Sequence, residues 1–344
     1  KHSYFVVLTI LRAFRLHSKP ELFHHDNGGG YDNGVVSRLL QMLDIVKGNG
    51  KKESGSGSCF VIVIGFLINK VLSGYNCNIT RVALRTCYKS SIKMVEEILK
   101  RKQQTIEKLQ ERRSIKEAIV AAKKAGNRAV IAEVKRRGLT ERGKEALKIG
   151  AVEAASQMKK GGACALSVLT DEAFSGHLED LRTVKLSVDL PVLRKDFIFE
   201  VFQVHESYAH GASAILLIAR FLSAERVKEL AKKATSLGME ALIEIDRESK
   251  DTILDPDVLR MASLIGINNR DLNTFDVDLK TFETVAPAIK PELPADVLLV
   301  AMSGITGKGD ARRMFEAGAD AVLVGTSIMN AEDIARKVGE FVNC

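Results

Sequence analysis

The chain has 344 residues, of which 46% are hydrophobic and 27% are charged, and its formal net charge at pH 7 is +8. These values are ordinary for a globular protein, and the length allows one large domain with an additional segment. Aromatic residues make up only 6% of the chain and acidic residues are interspersed among the basic ones, so the composition argues against nucleic-acid binding, which relies on basic patches and stacking aromatic side chains.

Residues 1–93 differ in composition from the rest of the chain. They include a Gly-rich stretch at 28–30 and a Gly- and Ser-rich segment at 48–58, which is typical of a flexible coil. We leave this segment unassigned: it is either spurious sequence upstream of a natural start at Met94 or a poorly ordered appendage. Its apolar run at 59–68 is shorter than the roughly 20 residues of a membrane-spanning helix, so we expect no membrane segment.

The cysteines favour a reducing compartment. They are Cys59, Cys77, Cys87, Cys164 and Cys344. Because their number is odd and their spacing is not that of metal ligands, we expect free thiols in a cytoplasmic protein without a bound metal.

Two helices are predicted before the first strand. From Met94 the sequence becomes charged and favours helix, and Val95, Ile98 and Leu99 begin an apolar stripe of helical spacing. We interpret the Arg- and Lys-rich stretch 100–113 as a solvated face of this helix. A second helix is predicted over 114–124.

Eight near-continuous apolar runs follow, with an amphipathic stretch of helical character between each pair. The runs are 129–135, 165–170, 191–196, 214–218, 241–245, 264–268, 297–300 and 321–325. Such runs are typical of parallel strands that are buried on both faces. Eight strand–helix units predict a closed (β/α)8 TIM barrel as a catalytic domain over 94–344, with an N-terminal helical extension.

Most of these strands end in a polar or charged residue. The residues are Glu133, Lys135, Lys195, Glu244, Asn268 and, directly after the seventh strand, Ser303. The carboxyl ends of barrel strands form the active-site face, so these side chains are expected to converge there. Lysines at this face are suited to general acid catalysis and Glu244 to general base catalysis. The alternative for Glu133 and Lys135 is a structural ion pair.

The last two strands are each followed by small residues. These turns are Ser303-Gly304-Ile305 and Gly325-Thr326-Ser327. Backbone N–H groups in such turns can approach phosphate oxygens closely, and barrels often hold phosphate in the loops after strands seven and eight. The two turns together predict a phosphorylated ligand.

Over about 94–344 the sequence resembles the indole-3-glycerol phosphate synthase family of tryptophan biosynthesis. The most specific matching strings are Ser-Val-Leu-Thr-Asp-Glu at 167–172, Lys-Asp-Phe-Ile at 195–198 and Asn-x-Arg-Asp-Leu at 268–272. Members of this family are carboxy-lyases that need no metal or organic cofactor. They close the indole ring of 1-(2-carboxyphenylamino)-1-deoxyribulose 5-phosphate and release carbon dioxide and water.

The resemblance also implies a role for each candidate site residue. Lys195 would protonate the ribulose carbonyl, Glu244 would be the base for dehydration, and Lys135 would bind the substrate carboxylate and share the acid role. Glu133 and Asn268 would orient the lysines and the substrate hydroxyl groups. The other substrate contacts would be Arg270, Phe197, Leu323 and Thr140, and the phosphate contacts would be Ser303, Gly304, Gly325 and Thr326.

Two positions depart from the pattern of the family. Gly138-Leu139-Thr140 stands where family members usually have Ser-Pro-Ser, and Thr140 keeps one of the hydroxyl groups of that loop. Met302 stands where they usually have a glutamate. These departures predict a more flexible substrate loop and the loss of one polar contact with the substrate.

Two other functions stay open as alternatives. One is a different phosphate-binding TIM-barrel enzyme, such as an isomerase of the phosphoribosylanthranilate type. The other is an inactive barrel that serves as a binding partner. In each of the enzyme interpretations the partner is a small phosphorylated molecule, and we expect a monomer or a weak homo-oligomer.

Overall fold

The structure is a computed structural model that describes residues 78–136, 149–250 and 255–344. Eight parallel strands alternate with helices along the chain. The strands are β1 (Ala129–Val134), β2 (Ala165–Leu169), β3 (Val192–Lys195), β4 (Ala214–Ile218), β5 (Glu240–Ile245), β6 (Leu264–Asn268), β7 (Leu298–Met302) and β8 (Ala321–Val324). Each strand pairs with the next and β8 pairs with β1, so the sheet closes on itself. The prediction of a (β/α)8 TIM barrel is confirmed.

The helices come before, between and after the strands in the sequence. They are α1 (Asn78–Gln110), α2 (Ile115–Lys124), α3 (Ala151–Lys160), α4 (Leu178–Ser187), α5 (Val201–Ala209), α6 (Ala224–Ser236), α7 (Pro256–Met261), α8 (Lys280–Ile289), α9 (Lys308–Glu316), α10 (Thr326–Met329) and α11 (Ile334–Val342). Short 3-10 turns occur at Glu172–Phe174 and Lys290–Glu292. In the part of the chain with described positions, every helix is too short or too polar to cross a bilayer.

The helix α1 passes through the predicted boundary at residue 93. Because it runs from Asn78 to Gln110, the change of composition at Met94 does not coincide with the end of an element. The interpretation of residues 1–77 lies outside the described residues. The division into an unassigned segment 1–93 and a catalytic domain 94–344 stays a prediction.

The barrel interior is filled by apolar side chains that alternate along the strands. Leu193 of β3, Leu242 of β5 and Leu323 of β8 belong to one buried cluster, together with Ile115 and Ile119 of α2. Since successive side chains of a strand point to opposite faces, the other apolar residues of each strand pack against the outer helices. Because Ile115 and Ile119 belong to the interior cluster, the α2 helix lies across one end of the barrel.

A carboxylate at the start of β5 anchors α2 in that position. Glu240 accepts hydrogen bonds from the Ser114 hydroxyl at 2.5 Å and from the Ile115 amide at 2.7 Å. Ser114 also accepts a hydrogen bond from the Glu117 amide, as a helix N-cap residue does. This contact lies at the amino-terminal end of the strands, so α2 closes the end opposite the predicted active site.

The basic stretch 100–113 is only partly the solvated face that the sequence suggests. Lys108 donates to the carbonyl of Leu186, and Arg112 donates to the carbonyl of Tyr208. Both carbonyls lie in the last turns of outer helices, where the helix dipole favours a positive charge. The end of α1 and the residues that follow it are therefore bound to the barrel wall by basic side chains that contact the carboxyl-terminal ends of outer helices.

Candidate active site

Five polar side chains face the interior at the carboxyl ends of the strands. Their orientation follows from apolar cluster residues that precede them by two or four positions on the same strands. The five are Glu133, Ser167, Lys195, Glu244 and Asn268. Glu133, Ser167, Glu244 and Asn268 are buried, and Lys195 is partly buried. We call the opening of the barrel at the carboxyl ends of its strands the mouth. The predicted convergence of strand-end residues on this mouth is thus observed for Glu133, Lys195, Glu244 and Asn268.

Glu133 and Lys135 form an ion pair that also contacts the loop after β8. The Lys135 ammonium lies 3.5 Å from Glu133 Oε1 and donates a hydrogen bond of 2.6 Å to the Thr326 hydroxyl. The side chain of Lys135 is 13% exposed, so its charge is largely shielded from solvent. These contacts place the ammonium group between the ends of β1 and β8.

Glu244 and Asn268 form the opposite polar pair of the mouth. The Asn268 side-chain amide donates a 2.9 Å hydrogen bond to Glu244 Oε1, while its oxygen accepts one from the Arg270 amide. Because the Asn268 oxygen is occupied by a backbone donor, its nitrogen faces the carboxylate. One oxygen of Glu244 is therefore fixed and the other is available for proton transfer.

Three oxygens of this polar layer are buried without a hydrogen-bond partner among the described residues. They are Glu133 Oε2, Ser167 Oγ and Glu244 Oε2. An unpaired buried polar atom costs about 1–3 kcal/mol, and such atoms are infrequent outside functional sites. Ser167 lies in register with Glu133 on the neighbouring strand. The sequence interpretation missed Ser167, although its position two residues after the inward-facing Ala165 was a usable signal.

Two aromatic rings lie above the end of β3. Phe197 follows Lys195 by two residues and is 44% exposed, and its ring centroid is 6.3 Å from that of Phe221 after β4. Leu323 is instead buried in the interior cluster, in register with Met302 of β7. Phe197 is thus at the rim of the mouth, whereas Leu323 belongs to the apolar layer of the barrel.

The two predicted phosphate loops lie side by side. The Ser327 hydroxyl of the second loop donates to the carbonyl of Ile305 in the first. Ser303 and Gly304 both have a positive φ, at 65° and 78°, which is unusual for serine. A side chain on Gly304 would collide with Val277, and a Cβ on Gly325 would lie 2.5 Å from Glu133 Oε1. Both glycines are therefore required by close approach of neighbouring groups.

Arg270 supports the loop after β6. Its guanidinium donates a 2.7 Å hydrogen bond to the carbonyl of Phe275, and burial lowers the pKa of this guanidinium. Its backbone amide donates to Asn268. The backbone of Arg270 thus holds the Asn268 side chain, while its guanidinium bonds within the loop after β6.

The departure at Met302 has a clear packing consequence. Met302 is 1% exposed and lies in the interior cluster, and its sulfur occupies the space where a side chain on Gly266 would lie. An apolar side chain thus fills the interior at the position where the family pattern has an acid. The other departure, Gly138-Leu139-Thr140, lies outside the described residues, as does the predicted substrate contact of Thr140.

The arrangement combines two ammonium groups with a carboxylate that has one oxygen fixed and one unpaired. Lys135 and Lys195 can donate protons or bind anionic groups, and Glu244 can accept a proton. The adjacent small-residue loops supply backbone N–H groups of the kind that bind phosphate. The mouth is thus equipped for acid–base chemistry on an anionic substrate.

Comparisons with known proteins agree with this chemistry. A family model described as indole-3-glycerol phosphate synthase matches residues 84–341. Indole-3-glycerol phosphate synthase from Mycolicibacterium gilvum is 42% identical over 225 residues, which cover 65% of this chain and 80% of that protein. The same enzyme from Kineococcus radiotolerans is 43% identical over 215 residues, covering 62% of this chain and 75% of that protein.

A solved structure supports the fold independently. Tryptophan synthase subunit alpha from Legionella pneumophila superposes with a TM-score of 0.50 at 15% identity and covers 66% of this chain and 96% of that one. At this level of identity the likeness concerns the architecture alone.

Proposed function

Because the chain belongs to the indole-3-glycerol phosphate synthase family, we propose that the mouth of its barrel closes the indole ring of 1-(2-carboxyphenylamino)-1-deoxyribulose 5-phosphate. The protein is a carboxy-lyase of tryptophan biosynthesis. The observation that best supports the proposed chemistry is the pairing of Glu244 with Asn268, which leaves one carboxylate oxygen for a proton.

In the first step, Lys195 acts as the general acid. The aryl carbon that carries the carboxylate attacks the ribulose carbonyl, and the Lys195 ammonium gives its proton to the carbonyl oxygen, which becomes a hydroxyl group. The carboxylate then leaves as carbon dioxide, and its bonding electrons restore the aromatic ring. The inward orientation of Lys195 at the end of β3 supports this role.

In the second step, Glu244 acts as the base for dehydration. Its unpaired oxygen takes a proton from the carbon next to the nitrogen, while the new hydroxyl group leaves as water with a proton from a lysine. Asn268 holds the other oxygen and Glu133 orients Lys135. The side chains of Glu244 and Glu133 are both buried, so neither can turn away from the mouth freely.

The substrate is held at both ends. Ser303, Gly304, Gly325 and Thr326 bind the phosphate. The hydrogen bond between Lys135 and Thr326 supports a contact of this ammonium with the phosphate in addition to the predicted one with the substrate carboxylate. Phe197 lines the aryl pocket from the rim and Leu323 from below, and the backbone amide of Arg270 orients Asn268. Thr140 completes the set as a prediction from sequence.

A cytoplasmic location is supported by Cys164 and Cys344, which are both free thiols. Burial raises the pKa of the Cys164 thiol to about 11, which makes it unreactive. A monomer or a weak homo-oligomer stays a prediction.

The test is a turnover assay with the purified full-length chain. We expect indole fluorescence to appear when the ribulose phosphate substrate is added, and Lys195→Ala to abolish most of the rate. Lys232→Ala, which removes an exposed lysine on α6, should leave the rate unchanged. Conversion of phosphoribosylanthranilate without indole formation would indicate the isomerase. Substrate binding without any turnover would indicate the inactive barrel.

A further inference from the structure

A buried ion pair flanks Lys195 on its own strand. Arg194 is 4% exposed and Asp196 is 8% exposed, and their charged groups lie 2.9 Å apart. Because side chains alternate along a strand, both point away from the interior that Lys195 faces. The contacts of the Arg194 guanidinium with Glu206 and Ser207 of α5 confirm that it lies outside the barrel.

The Asp196 carboxylate joins this pair to β2 and to the backbone after it. Its Oδ2 accepts hydrogen bonds from the Thr170 hydroxyl at 2.5 Å and from Arg194, while its Oδ1 accepts one of 2.8 Å from the Phe197 amide. The Thr170 amide donates in turn to the Lys195 carbonyl. Thr170 and Asp196 therefore hold the peptide groups on both sides of residue 196.

Strand pairing alone does not fix the backbone at this point. β3 ends at Lys195, and its register with β4 extends only through Leu193 and Arg194. On the other side, Lys195 is in register with Leu169, the last residue of β2. Beyond this residue the backbone bond from the Thr170 amide to the Lys195 carbonyl extends the β2–β3 pairing by one step. The Asp196 carboxylate, bonded to the Thr170 hydroxyl, then holds the next peptide group through the Phe197 amide.

We propose that Asp196, held by Thr170 and Arg194, is a positioning residue that directs the Lys195 ammonium toward the substrate carbonyl. This inference rests on the proposed function, in which Lys195 is the general acid. None of the three side chains faces the mouth. Their effect on the reaction therefore passes through the backbone and not through a contact with substrate.

Thr170 is the residue that tests the inference with least disturbance. Removing Asp196 would break the buried ion pair with Arg194 and leave Glu206 as the remaining acidic partner of that guanidinium, and breaking a buried pair is strongly destabilising. Thr170→Val keeps the shape, removes the hydroxyl that donates to Asp196 and accepts from Arg194 Nε, and leaves the ion pair in place. Thr170→Ser restores that hydroxyl and is the matched rescue variant.

The first measurement is steady-state kinetics of these two variants. Misplacement of a catalytic group by about 1 Å can cost on the order of 10²-fold in rate, so we expect kcat of Thr170→Val to fall roughly 10-fold or more. KM should stay within about twofold, and Thr170→Ser should stay within about threefold of the parent in kcat. Val338→Ala, in the outer helix α11, controls for loss of stability alone. An unchanged kcat in Thr170→Val, or an equal loss in Val338→Ala at the same thermal midpoint, would overturn the inference.

A double-mutant cycle separates action through Lys195 from a general structural effect. If Thr170 acts through Lys195, then Thr170→Val should cost less than about twofold when added to Lys195→Ala. A loss that multiplies with the loss from Lys195→Ala would show an independent role and would contradict the inference.

A crystallographic comparison keeps the inference testable even if the proposed function fails. Absence of indole formation by the parent would refute the proposed function. The crystal structures of the parent, Thr170→Ser and Thr170→Val would then decide the positioning role. We expect a displaced or disordered Lys195 side chain in Thr170→Val alone, and an unmoved Lys195 there would refute the inference.

Discussion

Replacement of Gly325 by alanine would press a methyl group against the Glu133 carboxylate. The added Cβ would lie 2.5 Å from Glu133 Oε1 and 3.1 Å from Glu133 Cβ. Non-bonded heavy atoms prefer about 3.5–4.0 Å, so the two groups would have to separate by roughly 1 Å. Glu133 is 6% exposed and forms the ion pair with Lys135. It therefore cannot move without moving that ammonium.

The structure gives the scale of both consequences. Overpacking of a buried site costs typically 1–3 kcal/mol, which for a barrel of this size lowers Tm by roughly 2–12 °C. A shift of about 1 Å in catalytic side chains can cost on the order of 10²-fold, so kcat/KM should fall by between one and two orders of magnitude. Thermal melts and the indole fluorescence assay measure the two effects on the same samples.

A second glycine provides the matched control. A Cβ on Gly339, inside helix α11, would have Gly161 O as its near neighbour at 3.8 Å, which is an ordinary contact. Gly339→Ala should therefore keep kcat/KM and raise the stability by up to about 1 kcal/mol, because alanine favours helix over glycine. Unchanged stability and activity in Gly325→Ala would refute the reasoning, since Glu133 would then have space to move without affecting Lys135.

The other expected outcomes concern three side chains of the mouth and Asp246, a buried residue directly after β5. Lys195→Ala should lower kcat by roughly 10²-fold or more, and a rate within about threefold of the parent would mean that Lys195 is not the acid. Glu244→Gln should lower kcat with little change in KM, because a proton-transfer role appears only in the transition state; a change in KM alone would make it a binding residue. Ser167→Ala removes a buried hydroxyl that has no hydrogen-bond partner among the described residues, so Tm should rise, and a lower Tm would show that this hydroxyl stabilises the barrel. Burial raises the pKa of Asp246, but the Ser249 hydrogen bonds and a neighbouring arginine outweigh it and hold that pKa below its ordinary value of 3.8. A carboxyl group with a depressed pKa stabilises the fold at any pH above its ordinary pKa, here 3.8, and this stabilisation is lost as the pH falls through the lowered pKa. The difference in Tm between the parent and Asp246→Asn should therefore narrow below pH 3.8. A difference in Tm that stays constant would contradict the lowered pKa of Asp246.

The sequence predicted the barrel because its signals are local. Each of the eight predicted strands is an apolar run with a helix-like stretch after it, and the structure has a strand in each of these runs. Their positions at the carboxyl ends of predicted strands also placed Glu133, Lys195 and Glu244 at the active-site face. These are properties of single strands, which a sequence displays directly.

The remaining features depend on contacts between distant parts of the chain. Gly325 is required by the position of Glu133, and the sequence offered only a small residue after a strand. Glu240 binds the start of α2 at Ser114, although the two are 126 residues apart. The closure of the barrel brings such pairs of residues together, and a single sequence does not reveal which residues will meet.

The hydrogen bonds around Lys195 could not be predicted from the sequence either, although the residues that form them are closer in the chain. Thr170 and Asp196 are 26 residues apart and meet because β2 and β3 are neighbours. The string Lys-Asp-Phe-Ile is specific to the family that the sequence resembles, but it does not show that its aspartate points away from the mouth. The proposed role of Asp196 rests on the direction of its hydrogen bonds, which the sequence does not show.

Simultaneous measurement of carbon dioxide release and indole formation tests the assignment of this reaction to the barrel mouth most directly. The substrate would carry an isotopic label in its carboxylate, and parent, Lys195→Ala and Glu244→Gln would be compared at equal protein concentration. We expect the parent to release one labelled carbon dioxide for each indole formed, and both variants to lose this coupled turnover. Carbon dioxide release without indole, or undiminished turnover in both variants, would contradict the assignment of the reaction to Lys195 and Glu244.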